Sequence, residues 1–252
     1  GFFETIRCIN GRIPLFHLHY GRIVDSARAY KMDLPQWMQE DALLSLLEEL
    51  YRESALNGDA RIRLTIYRDG EGRFTPTTNF ATALGSIEHT EGNGFELNEK
   101  GVAIGLYQDL VKTPSRISNL KNLHSQLYVQ AGNYAKDKGL GDVLILNDYN
   151  QLIEATSSNI FLVLNGALHT PKLEAGPVGG VMRAAVINLT LKLNIKVYEC
   201  NLEAHELIKA DEVFLTNALK GIQWVASYRT KRYFNKTASM LLEKLNEEIS
   251  FA

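Results

Sequence analysis

The chain has 252 residues, 45% of them hydrophobic and 22% charged, with a formal net charge of −2. That length and balance fit one large globular domain or two smaller ones, and exclude a disordered or fibrous chain. A nearly neutral chain without a run of Lys and Arg has no field to attract nucleic acid. No apolar run reaches membrane-spanning length and nothing resembles a secretory signal, so the cytoplasm is the default location.

The chain opens at Gly1 directly in an apolar strand, "GFFETIRCI", which suggests that residues upstream are missing. Asn10-Gly11 turns it into "RIPLF", and helices are expected near His19 to Met32 and Pro35 to Ala55, the second clearly amphipathic. The stretch "ARIRLTIYR" then alternates apolar and polar residues, and "DGEG" turns it into "RFTP". This first part, residues 1–110, reads as a small domain of antiparallel sheet and helices. The polar, proline-bearing segment Gln108 to Leu120 separates it from the rest, with the linker at 111–118. The larger domain, 119–252, starts with a helix from Leu123 to Lys138. It continues through the strand "DVLILN", the segment "QLIEATSSNIFLVLNGALHTP", the loop "EAGPVGGVMR", a helix, and the strands "IKVYEC" and "DEVFLT". The class is α+β in two domains.

Cys8 and Cys200 are far apart and form no C-x-x-C, and "HELIK" lacks the second histidine of H-E-x-x-H. Neither a disulfide framework nor a metal site is indicated. Glu154 is the unusual residue, a carboxylate inside a segment that otherwise reads as buried sheet. An ionised acid there needs a cationic or proton-donating partner.

Gly176, Gly179 and Gly180 precede a helix beginning near Val181, which aims backbone N–H groups at the loop and makes either an anion cradle or simply a turn. The loop has neither the G-x-x-x-x-G-K-[ST] nor the G-x-G-x-x-G pattern, so a small phosphate suits it better than a nucleotide. Arg22 could reach such a phosphate or a neighbouring carboxylate. Lys121, at a helix start, is either a solvated lysine or an amine whose charged form the helix dipole disfavours.

Taken together, "GFFETIR", "HYGRIVDSA", Lys121, "LIEATSSNIF", "LHTP", "GPVGGVMR" and "ADEVFLTNALKGI" resemble the fold-type-IV pyridoxal-phosphate enzymes over nearly the whole chain. That group contains branched-chain aminotransferases, D-amino-acid aminotransferases and aminodeoxychorismate lyases. The resemblance implies the two-domain fold of that group, a homodimer and pyridoxal 5'-phosphate as cofactor. It places the cofactor-carrying lysine at Lys121 and the partner of the pyridine nitrogen at Glu154. Arg22, Gly180, Val181, Met182, Asn217 and Ala218 fall where the family holds the phosphate, and the segment Thr216 to Leu219 closes that site.

Departures from the family pattern sort its branches. Met182 stands where many transaminases carry threonine, "TNAL" resembles the lyase version, and Thr5 lies where lyases tend to carry threonine and branched-chain transaminases glycine. The lyase, releasing pyruvate and p-aminobenzoate for folate synthesis, is therefore the expected activity, with Lys121 and Thr5 catalytic. A transaminase of D-amino or branched-chain amino acids is the alternative, and a non-catalytic small-molecule binder is a distant third. Arg73 is either a surface hairpin arginine or the anchor of a substrate carboxylate. His124 stands in place of a common family asparagine, and nothing in the sequence explains that exchange.

Overall fold

A computed structural model describes residues 1–250 and divides the chain into two compact units, 1–94 with 120–123, and 95–119 with the residues from 124 onward. The fold is mixed α and β, as the patterning predicts.

In the first unit, β1 (Phe2–Cys8), β2 (Ala60–Arg68) and β3 (Ala81–His89) form an antiparallel sheet in that order. The alternation in "ARIRLTIYR" sets its faces. Ala60, Ile62, Leu64 and Ile66 are buried with Phe2, Ile6 and Cys8, while Arg61, Arg63 and Thr65 lie on the other face beside Phe3, Thr5 and Arg7. The helices α1 (Phe16–Tyr30) and α2 (Glu40–Glu53) complete this core through Phe16, Ile23, Ala27, Leu43 and Leu47. The first helix begins three residues before His19 and ends two before Met32, and the second is shorter than its sequence pattern suggests. Residues Gln36–Met38 form a separate 3-10 turn, and Pro35 and Gln39 on either side of it are extended. The expected strand "RIPLF" is reduced to a single bridge between Ile9 and Arg12, because Leu15 turns left-handed and the chain enters α1 at Phe16. The residues "RFTP" likewise lie in the exposed loop between β2 and β3 rather than in a strand.

The second unit is a ten-stranded sheet. Its strands are β4 (Val102–Lys112), β5 (Asp142–Asn147), β6 (Gln151–Ala155), β7 (Asn159–Leu164), β8 (Ala167–Pro171), β9 (Val197–Cys200), β10 (Leu202–Glu203), β11 (Glu212–Asn217), β12 (Gly221–Tyr228) and β13 (Lys231–Arg232). The order is β10-β6-β5-β4-β12-β11-β7-β8-β9, with β13 on β12. The pairs β12–β4, β4–β5 and β8–β9 are parallel. The strands β6 and β7 stand well apart in that order yet are joined by a tight turn closed by Ala155 N–H donating to Ser158 O at 2.7 Å, so the sheet curls back on itself. One layer of core is Ile104, Leu144, Leu152, Ile160, Leu162, Val213 and Leu215. On the opposite face Phe161 and Phe214 stack at 5.1 Å. Further helices are α3 (Gln126–Asp137), α4 (Val181–Lys192), the single turn α5 (Glu206–Lys209) and α6 (Lys236–Ser250). The strand β4 runs through Lys112, so Gln108 to Lys112, read in the sequence as the start of a polar connection, are extended sheet in the second unit. Residues 113–119 carry neither helix nor strand.

Candidate active site

In the first unit, residues 120–123 lie alongside the start of β1. Phe3 N–H donates to Lys121 O at 2.9 Å, and Phe2 bridges Asn122. This holds the Lys121 side chain over Phe3, with Nζ 4.6 Å from the ring centroid. The Arg63 guanidinium lies 3.9 Å from the same centroid, and Arg63 is the cross-strand partner of Thr5. Lys121 and Arg63 thus share one aromatic ring, and Thr5 is on the same strand face as that ring. Arg63 has no hydrogen bond or ion pair among the described residues, and burial, then the charge of Arg61, hold its guanidinium below the ordinary arginine range. A half-buried arginine without an acid is suited to a carboxylate that arrives with a ligand.

On the other face of β1, Glu4 is fully buried and joined to two side chains of α1. Its carboxylate accepts from His19 Nδ1 at 2.7 Å, from Arg22 Nε at 2.7 Å and from Arg22 Nη2 at 2.5 Å. Burial raises the Glu4 carboxyl, but the Arg22 guanidinium and the bonds from His19 and Arg22 outweigh it and hold it at about 2. Burial lowers the His19 ring more than Glu4 raises it, so the ring is a neutral donor through Nδ1. Arg22 therefore enters any site with two of its nitrogens fixed by Glu4. The sequence singled out Arg22 and left Glu4 out, because a glutamate on an apolar strand carries no label of its contact with helix side chains fifteen and eighteen residues later.

In the second unit, Glu154 on β6 has found its partners. Oε1 accepts from Lys112 Nζ at 2.8 Å and from the Tyr128 hydroxyl at 2.7 Å, and Oε2 accepts from the Val178 amide at 2.8 Å. The loop bearing Val178 is pinned by Asn119, whose amide donates to Leu173 O at 2.8 Å and Pro177 O at 2.7 Å and whose carbonyl accepts from Gly179 N–H at 2.9 Å. Gly180 is the N-cap of α4. A Cβ at Gly180 would stand 1.9 Å from Asn159 Oδ1, so only glycine lets the loop come this close to β7. Asn159 in turn donates to Val178 O at 2.7 Å.

The first N–H groups of α4, at Val181, Met182 and Arg183, have no acceptor within the helix, and the Met182 side chain is buried in the core. Backbone donors left open in this way have the arrangement that an anion cradle requires. Thr216, paired with Asn159 across β7 and β11, keeps a buried hydroxyl without a partner among the described residues. Asn217 donates to Ser158 Oγ at 3.0 Å and accepts from the amides of Leu219 at 3.0 Å and Lys220 at 2.8 Å, which shapes the turn containing Ala218. Arg73 is exposed in the loop between β2 and β3. His124 is exposed just before α3.

Each unit, taken by itself, has donors and acceptors of the kind pyridoxal phosphate requires: the second has glycine-dependent backbone N–H groups before α4 and an open acceptor position on Glu154 Oε2, and the first has the Lys121 amine. The amino-transferase class IV family matches residues 1–228. A branched-chain-amino-acid aminotransferase of Methanocaldococcus jannaschii, so named provisionally, is 30% identical over 98% of this chain and 85% of its own. The aminodeoxychorismate lyase of Bacillus subtilis is 25% identical over 87% of this chain and 74% of its own. Among solved structures, a Brucella abortus aminotransferase bound to the cofactor PLP superposes with a TM-score of 0.85 at 21% identity, covering 100% of this chain and 89% of that one. The chain belongs to the class IV aminotransferases, a family of pyridoxal-phosphate-dependent enzymes.

Proposed function

We propose that this enzyme is a lyase that releases pyruvate from 4-amino-4-deoxychorismate and leaves p-aminobenzoate. The cofactor supplies an electron sink for the bond broken at the amine-bearing carbon. Lys121 would hold the cofactor through its amine, and the same amine would act as the base that takes the proton from that carbon. Loss of that proton and cleavage of the C–O bond to the pyruvyl group make the ring aromatic; the departing electron pair takes up a proton as pyruvate. Glu154 holds the ring nitrogen, and the backbone of Gly180, Val181 and Met182, with Arg22, Asn217 and Ala218, holds the phosphate. Arg63 and Arg73 are candidates for a substrate carboxylate, and the place of Arg63 beside Phe3 favours it.

The observation that carries the lyase reading is Thr5. Thr5 is the cross-strand partner of Arg63 and two residues from Phe3, the ring over which both Arg63 and the Lys121 amine lie, and this supports a role for its hydroxyl. A transaminase has no evident need of that hydroxyl, whereas an elimination has a second proton to move. The second reading, amino-group exchange on branched-chain or D-amino acids, has the 30% identical relative on its side. In that case Lys121 returns the proton to the cofactor carbon instead. A cytoplasmic homodimer belongs to both readings, on the family resemblance. Purified enzyme is to be assayed with aminodeoxychorismate beside a panel of D- and L-amino acids with 2-oxoglutarate or pyruvate. Formation of p-aminobenzoate supports the lyase. Steady exchange without it leaves the transaminase.

A further inference from the structure

Glu154 has more donors than a carboxylate needs merely to be satisfied. An ionised carboxylate offers about four acceptor sites. Lys112 Nζ and the Tyr128 hydroxyl take both on Oε1, and the Val178 amide takes one on Oε2. The single open position is therefore on Oε2, and the cation sits on the opposite oxygen.

Lys112 is built into this place. It ends β4, is 14% exposed, donates also to Ser118 O at 3.0 Å, and lies 5.5 Å from the Tyr128 ring centroid. Tyr128 cannot compete with it as a charge, because burial and then the Glu154 carboxylate push the phenol far above its ordinary range. The hydroxyl stays a neutral donor.

We propose that Lys112 is a positioning residue for the electron sink, acting through Glu154 to keep their shared proton on the cofactor's ring nitrogen. The inference rests on Glu154 being the partner of that nitrogen. A proton between a carboxylate and a pyridine can sit on either. Lys112 is in contact with the carboxylate and farther from any group bound at Oε2. Coulomb attraction falls with distance, so Lys112 stabilises the carboxylate's negative charge more than it repels a positive ring. The balance tips toward carboxylate and protonated ring. Without that charge the buried pair is free to neutralise itself, and the ring loses its pull on electrons.

The test uses holoenzyme loaded with cofactor labelled with 15N in the ring, and reads the ring-nitrogen chemical shift in the parent, Lys112→Met, Lys112→Gln and Lys112→Arg. The parent is expected to show a protonated ring. Lys112→Met and Lys112→Gln should move the shift toward neutral pyridine, and Lys112→Arg should restore it. Substrate deprotonation should fall with the protonated fraction, by about tenfold for each pKa unit of displaced balance. Lys112→Gln keeps a donor but no charge, so it separates the electrostatic role from packing and serves if Lys112→Met does not load. A ring that stays protonated in both uncharged variants overturns the inference alone. A neutral ring in the parent overturns the role of Glu154 and the inference with it.

Discussion

Glu4 shows how much one buried carboxylate organises. It is the common acceptor of His19 and Arg22, and the pair to Arg22 is the larger attraction on its charge. Its folded value lies below its ordinary 4.5, at about 2, so its stabilisation is complete above pH 4.5 and is lost as pH falls toward 2. The shift is worth on the order of 3 kcal/mol. His19 acts in the same sense by a different route. Its folded value is lowered, so the unfolded chain takes up the proton first and stability declines as pH drops below 6.5. Urea unfolding of the cofactor-free protein at several pH values between 7 and 3 should therefore show a steady loss of stability. In Glu4→Gln the stability at pH 7 should be lower by a few kcal/mol, since Arg22 is left largely buried without its acid, and the loss between pH 4.5 and 3 should be smaller. A variant as acid-sensitive as the parent would show that Glu4 is not the titrating group. At Glu154 the corresponding change is Glu154→Gln. It should leave the cofactor bound and slow deprotonation by orders of magnitude, because an amide cannot hold the ring nitrogen protonated. Parent-like turnover would assign the ring nitrogen to another residue.

At the scale of elements, the loop before α4 is the proposed phosphate site, and its shape is set by backbone geometry. Gly179 and Gly180 differ sharply in the room they have. A Cβ on Gly179 meets its nearest neighbour at an ordinary 3.5 Å, whereas one on Gly180 collides with Asn159 Oδ1. Gly180→Ala should destabilise the cofactor-free protein by about 1–3 kcal/mol and weaken retention of pyridoxal phosphate, while Gly179→Ala should be close to neutral in thermal unfolding. Equal behaviour of the two would mean that the loop yields freely and that Asn159 does not fix it. The glycine loop, the helix after it and the alternation of β2 were all legible in the sequence, because periodicity and glycine report local backbone needs directly. What the sequence hid was contact across elements. Lys112 read as part of a polar connection, and only the extension of β4 brings its amine to Glu154. Arg63 was one of the unremarked polar residues in the alternation of "ARIRLTIYR", and only the register with β1 puts it opposite Thr5 and over Phe3. Register and strand length are set by tertiary pairing, which no window of sequence contains.

For the whole molecule, the residues assigned to chemistry are drawn from both compact units, with Lys121, Thr5, Arg22 and Arg63 in one and Glu154 and the phosphate loop in the other. Family membership was readable from the set of motifs in chain order, since that set constrains the molecule in many places at once. The branch of the family was not, because lyase and transaminase share the cofactor, the lysine and the glutamate. They differ in where the second proton goes, and Thr5 is the carrier proposed for it. Thr5→Val removes the hydroxyl while keeping shape and β propensity on β1. If the enzyme is the lyase, Thr5→Val should depress p-aminobenzoate formation by about 10²–10⁴-fold, the range of a positioned proton relay, with cofactor binding little changed. Arg63→Gln should behave differently. A carboxylate contact is made in the ground and transition states alike, so its loss should chiefly raise KM and leave kcat nearer the parent value. A fall in kcat for Thr5→Val together with a rise in KM for Arg63→Gln would separate a proton carrier from a substrate anchor on the same sheet face. Equal activity of parent and Thr5→Val on aminodeoxychorismate would remove the hydroxyl from the mechanism and, with it, the observation on which the lyase reading stands.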